Sequence, residues 1–219
     1  PPAGVLQASG FFGASLDGIG DLDGNGVSEL AVGASGDDDG ATDVGSMYVL
    51  FLNGTGAAQA YRKLSSSTEA GLVLVAGAVF GRAMAGMGDL DGDGVPDVAV
   101  GASGDDGGAG AVVLILLSPS GDAASTVKIS GALGGGPTVL NAGDGFGISV
   151  AATGQGGDVD GDGVQDLIVG AALDDDGSTN AGAVYVLMLT QAGPGRAWTT
   201  VSEASNGGPP MNALDFFGV

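Results

Sequence analysis

An all-β architecture of three propeller-type blades, each of four antiparallel strands, follows from three features of this 219-residue sequence. Glycine supplies 46 residues, about three times the usual ~7% share, which demands a repeated backbone reason. Phe-Gly pairs recur at Phe12-Gly13, Phe80-Gly81, Phe146-Gly147 and Phe217-Gly218, 66 to 71 residues apart. Behind each of the first three comes the same series: an acidic loop, a short apolar run, a second acidic turn and a Gly-led run of β-formers. With 44% hydrophobic residues the chain is a folding one, not a disordered low-complexity segment.

Within each unit the first strand falls between the Phe-Gly pair and the acidic loop, as at Ala14 to Leu16 or Ile148 to Ala151. The second is the run that ends in Gly-Ala: Leu30 to Ala34, Val98 to Ala102 and Leu167 to Ala171. The third starts at a glycine: Gly45 to Phe51, Gly110 to Ile115 and Gly182 to Leu187. A more polar alternating stretch closes the unit: Tyr61 to Ser65, Thr126 to Ser130 and Trp198 to Ser202. Short runs rich in Val, Ile and Tyr, bounded by Gly and Asp clusters, read as strands. No stretch sustains a helical apolar period over ten residues without a glycine, so helix content is expected near zero.

Four strands every ~68 residues fit a propeller blade somewhat longer than the usual kind, whereas the coils of a Gly-rich β-solenoid are much shorter. Small Gly and Ala side chains let neighbouring blades approach closely. The expected division is 12–79, 80–145 and 146–216, with 217–219 opening a further repeat. A closed ring takes about four to eight blades, so three make an incomplete ring within one chain. A fragment of a longer array, a ring of two chains and an open filament of copies all remain consistent with that count.

The charge balance narrows function. Five basic and 26 acidic residues leave −21, which disfavours nucleic acid or an anionic membrane as partner and makes divalent cations the natural counter-charge. There is no cysteine and no histidine, which removes thiolate sites, the usual general base and any Ser-His-Asp triad. Carboxylate pairs recur alike in every unit, whereas a glycosidase pair would be unique to one cleft, so no enzyme is expected. The longest apolar run, Ala111 to Leu117, is far short of the ~20 residues of a spanning helix, so no membrane insertion is expected. The opening Pro1-Pro2-Ala3-Gly4 lacks a basic leader, so any signal peptide is expected to be cleaved or to lie outside this stretch.

The acidic loops carry the chemistry. They read Asp21-Leu22-Asp23-Gly24-Asn25-Gly26-Val27-Ser28-Glu29, Asp89-Leu90-Asp91-Gly92-Asp93-Gly94-Val95-Pro96-Asp97 and Asp158-Val159-Asp160-Gly161-Asp162-Gly163-Val164-Gln165-Asp166. Oxygen side chains at positions 1, 3, 5 and 9, with a backbone carbonyl at position 7, can wrap a calcium ion, which takes six to eight oxygens at ~2.3 to 2.6 Å. The candidate ligands are therefore Asp21, Asp23, Asn25, Val27 and Glu29; Asp89, Asp91, Asp93, Val95 and Asp97; and Asp158, Asp160, Asp162, Val164 and Asp166. The glycine at position 6 allows the sharp turn. A loop of nine followed by β-branched residues is not an EF-hand. In the first loop Asn25 removes one charge and Glu29 adds a methylene, which together predict weaker affinity there.

In Phe80-Gly81, the loop from Asp89 to Asp97, Gly101-Ala102 and Gly110 to Leu114, with their equivalents in the other units, the chain resembles the FG-GAP repeat of the integrin alpha-subunit propeller and of bacterial and algal surface proteins. It departs from that pattern at Ser35, Ser103 and Ala172, where the repeat has proline, and in the insertion Gly154-Gln155-Gly156. The resemblance implies one calcium per repeat, three in all, bound between strands 1 and 2 away from the ligand-binding loops. It does not imply integrin function.

The expected role is that of an extracellular, cell-surface calcium-stabilised module, structural or adhesive, within a larger surface protein or a fibre of further copies. The alternative is a sugar- or protein-ligand recognition propeller closed by oligomerisation, with Trp198 as a candidate stacking platform. Asn53-Gly54-Thr55 is an N-glycosylation sequon and Ser65 to Thr68 a candidate for O-glycans or a plain polar linker. The second acidic turns, Asp37 to Asp39, Asp105-Asp106 and Asp174 to Asp176, read as solubilising turns or as a second cation or docking site.

Overall fold

In the computed structural model, which describes residues 6–154, 157–176, 178–191, 193, 195 and 197–219, the chain forms three four-stranded antiparallel sheets. The first contains β1 (Phe12–Gly20), β2 (Glu29–Ala34), β3 (Ser46–Leu52) and β4 (Ala58–Leu64). The second contains β5 (Met84–Gly88), β6 (Asp97–Ala102), β7 (Ala111–Leu117) and β8 (Ala123–Ser130). The third contains β9 (Phe146–Ala152), β10 (Leu167–Ala171), β11 (Ala183–Met188) and β12 (Ala197–Val201). In each, sequence order is spatial order, as in a propeller blade. The described residues hold no α-helix, only a 3₁₀ turn at Asp106–Gly108. Gln155 and Gly156 of the insertion, and Pro1 to Gly4, lie outside the described residues.

The first strands run longer than the apolar pattern suggests. β1 begins at Phe12 itself, because Phe-Gly is already paired: Phe12 lies opposite Ala34 and Phe146 opposite Ala171. The Phe-Gly pair also joins blades. Phe80 N donates to Val44 O at 3.0 Å and Phe146 N to Ala109 O at 3.0 Å, and bridges link Gly45 with Phe80, Gly110 with Phe146 and Gly182 with Phe217. Each unit is thereby hydrogen-bonded to the one before it.

The Gly-Ala pairs mark where blades touch. A Cβ on Gly101 would stand 2.0 Å from Gly147 O, and the equivalents at Gly33 and Gly170 meet Gly81 O and Gly218 O at under 2 Å. Any side chain there would push two backbones apart. Ser15 Oγ donates to Gly81 O at 2.8 Å and Ser149 Oγ to Gly218 O at 2.7 Å across the same seams.

Among the described residues one core lies between the first and second sheets and one between the second and third, and a smaller cluster of Val32, Ala34 and Tyr48 covers the outer face of the first sheet. Val98, Val100, Val113 and Ile115 of the middle sheet face the first core, and Ala99, Val112, Leu114 and Leu116 face the second. This explains the unbroken apolar run of β7: a strand covered on both faces has no polar side to alternate with. In β11, by contrast, buried and half-buried residues alternate. Trp198 packs with its ring centroid 6.0 Å from that of Tyr185, half-buried against the second core. That is a packing role.

Candidate metal centres

Each acidic loop spans the β1–β2, β5–β6 or β9–β10 connection, and its own backbone shapes it. The carboxylate at position 1 accepts from the amides at positions 4 and 6: Asp89 from Gly92 at 2.8 Å and Gly94 at 2.9 Å, with Asp21 and Asp158 doing the same in their loops. Both glycines need positive φ, 84° at Gly92 and 89° at Gly94. The sequence reading accounted for the glycine at position 6 and overlooked the one at position 4. These amides, Gly163 foremost, hold the Asp158 carboxyl below its ordinary range.

Position 5 serves the turn. Asn25, Asp93 and Asp162 each accept through Oδ1 from the amide two residues on, that of Val27, Val95 or Val164, at 2.8, 2.7 and 2.9 Å. Positions 1, 3 and 9 converge. One carboxylate oxygen from each of Asp21, Asp23 and Glu29 lies within 4.8 Å of the others, as do those of Asp89, Asp91 and Asp97 and of Asp158, Asp160 and Asp166. Two oxygens on opposite sides of a calcium ion at ~2.4 Å stand about 4.8 Å apart, so the spacing suits that ion.

The position 9 residue is buried in every loop: Glu29 and Asp166 are 0% exposed and Asp97 is 1% exposed. Asp97 accepts from Leu90 N at 2.8 Å and Leu117 N at 2.9 Å, and Asp166 from Val159 N at 2.7 Å and Leu189 N at 2.9 Å. It thus latches the loop to the end of the third strand. Burial pushes the Asp97 carboxyl up to about 6, against the pull of those two amides and with a further push from Asp91 and Asp93. A cation in the loop would cancel that push. In the first loop Glu29 accepts from Leu22 N at 2.6 Å, and its Oε1 is buried with no hydrogen-bond partner. An orphaned buried polar atom costs about 1 to 3 kcal/mol, more if charged, unless a ligand meets it. The all-oxygen donor sets and this orphan fit a calcium ion.

The second acidic turns lie at the other blade end, and their leading aspartates are not solvated: Asp37, Asp105 and Asp174 are 1%, 0% and 3% exposed. The solubilising reading is therefore corrected for them. Lys63 Nζ lies between Asp37 and Asp39, and Lys128 Nζ stands 2.8 Å from both Asp105 Oδ2 and Asp106 Oδ1. In the third blade Thr200 occupies that register position, and Tyr185 OH donates to Asp174 Oδ2 at 2.5 Å. Sequence reasoning missed these lysines; their signal was a lysine at the same place in two of three fourth strands. Ser65 and Ser67 donate to Asp39, so this serine run knits the turn to β4. Asn53 lies in the β3–β4 turn, where its Oδ1 accepts from Thr55 Oγ1 at 2.7 Å.

Residues 80–115 and 146–187 match the FG-GAP repeat family. The chain carries FG-GAP repeats. Over 177 residues, 79% of this chain and 15% of the relative, it is 31% identical to Integrin alpha-4 of Xenopus laevis. Over 95 residues, 43% of this chain and 8% of the relative, it is 33% identical to Integrin alpha-M of Mus musculus. The FG-GAP chain thus spans a small part of the relatives' length. No helix among its described residues is long and apolar enough to cross a membrane.

Proposed function

We propose that this chain is a non-enzymatic, calcium-binding FG-GAP array with an adhesive or structural role outside the cell, one calcium ion held in each repeat. The observation that carries the reading is the threefold convergence of carboxylates at positions 1, 3 and 9, with Glu29 Oε1 buried and unpartnered beside the first. Position 5 and the carbonyls of Val27, Val95 and Val164 complete each ligand set on this reading. Loops built largely on their own hydrogen bonds suit millimolar external calcium, at which even weak sites fill. Similarity to integrin alpha subunits supports the adhesive setting.

Further blades are the natural partners. Phe80 and Phe146 are 0% exposed beneath a neighbouring sheet, whereas Phe12 is 43% exposed against Tyr48 on the outer face of the first sheet, with Leu16 also open. Calorimetric titration of chelator-treated protein tests the metal reading. Three ions should bind per chain, and D21N, D89N and D158N should each remove one. Absence of binding at millimolar calcium overturns it.

A further inference from the structure

The three loops are near copies, yet they are fastened differently. In the second and third, both oxygens of the position 9 aspartate are taken by backbone amides, one within the loop and one at the end of the third strand, from Leu117 or Leu189. The register that pairs Leu30 with Leu50, Val98 with Ile115 and Leu167 with Leu187 puts Leu52 at that place in the first blade. There Glu29 accepts only from Leu22 N, and the second oxygen is left buried and bare. The tether to the third strand comes instead from Asn25, whose Nδ2 donates to Leu52 O at 3.1 Å in an exposed position. Aspartates at 93 and 162 have no proton to give there.

We propose that Glu29 makes the first blade depend on its cation for its shape, whereas the second and third loops keep theirs without one. The inference rests on the calcium reading above. A buried carboxylate oxygen needs a partner, and in the first loop the backbone does not provide it. The ion does. The substitution of Asn25 for aspartate, which by charge count weakens the site, is the other half of the same arrangement: it replaces the lost latch with an amide.

Hydrogen exchange read by mass spectrometry on the whole chain, in millimolar calcium and after chelation, tests this alongside calorimetric ion counting. Peptides covering 21–34 should lose protection roughly tenfold or more on chelation, and those covering 89–102 and 158–171 several-fold less. Glu29→Asp shortens the carboxylate to the length present at 97 and 166, and should bring the calcium-free protection of the first loop toward the other two. Glu29→Gln removes the buried charge and should shrink the calcium dependence of the first blade, with the other blades as internal control. Three bound ions with equal protection losses in all three loops overturn this inference alone. No bound calcium overturns the proposed function and this inference together.

Discussion

Lys63 Nζ stands 2.9 Å from Asp37 Oδ2, and the two side chains are only 5% and 1% exposed. Ser46 Oγ donates to the same oxygen at 3.0 Å, and the ammonium lies 5.8 Å from the centre of the Tyr48 ring. Here a buried charge is matched by a buried charge, so removing one partner strands the other. Lys63→Met should cost about 3 to 5 kcal/mol, measured as a lower urea midpoint with unchanged slope. A loss under ~1 kcal/mol would mean that the hydroxyls alone satisfy Asp37.

Thr200 lies opposite Tyr185 just as Lys63 lies opposite Tyr48, while Asp174 and Asp176 wait in the places of Asp37 and Asp39. Thr200→Lys should therefore supply the missing cation and raise the melting temperature, by a few degrees for a gain of ~1 kcal/mol. A fall would show that the Tyr185 hydroxyl already meets the need of Asp174.

The same ion pairs set a pH window. Burial alone would lower the Lys63 and Lys128 ammonium groups, but hydrogen bonds to Asp37 and Asp39, and to Asp105 and Asp106, hold both above 10.5. Burial likewise opposes Asp39 and Asp106, yet their bonds to Ser67, Lys63 and Ser65, and to Lys128 and Ser130, keep both below 3.8. Raised lysines contribute stability that is full below their unfolded value and lost as pH rises through the folded one. Lowered carboxylates contribute above their unfolded value and lose it as pH falls. The stability difference between the parent and Lys63→Met should thus be flat from about pH 5 to 9 and shrink beyond both ends. A difference that changes steadily across neutral pH would refute this.

Blade contact is tested at the seam. Gly101→Ala would press a methyl against Gly147 O, a backbone atom with no room to yield, and should cost upwards of ~1 to 3 kcal/mol by chemical denaturation. Gly54→Ala meets nothing within 4 Å and should stay within ~0.5 kcal/mol. Equal effects would place the seam elsewhere.

Strand count, strand order and the three acidic loops are legible because each depends on neighbours within a few residues. A Gly-bounded run of β-formers becomes a strand wherever it finds a partner, and Asp-x-Asp-Gly turns close on their own amides, as Asp89 does with Gly92 and Gly94. The second acidic turns misled because burial is not local. Asp37, Asp105 and Asp174 sit in sequence surroundings that look solvated, and only the return of the fourth strand covers them.

Repeat, fold and the clustering of carboxylates in each loop can thus be read along the chain, since a period and an oxygen spacing survive without a third dimension. Pairing of charges and satisfaction of buried oxygens cannot. Asp97 finds Leu117 N, 20 residues away, while Glu29 finds no second donor although Leu52 holds the equivalent register place; only the folded chain shows that difference. The methylene that Glu29 adds is visible in the repeat, but only the folded chain shows that its second oxygen is left buried without a donor.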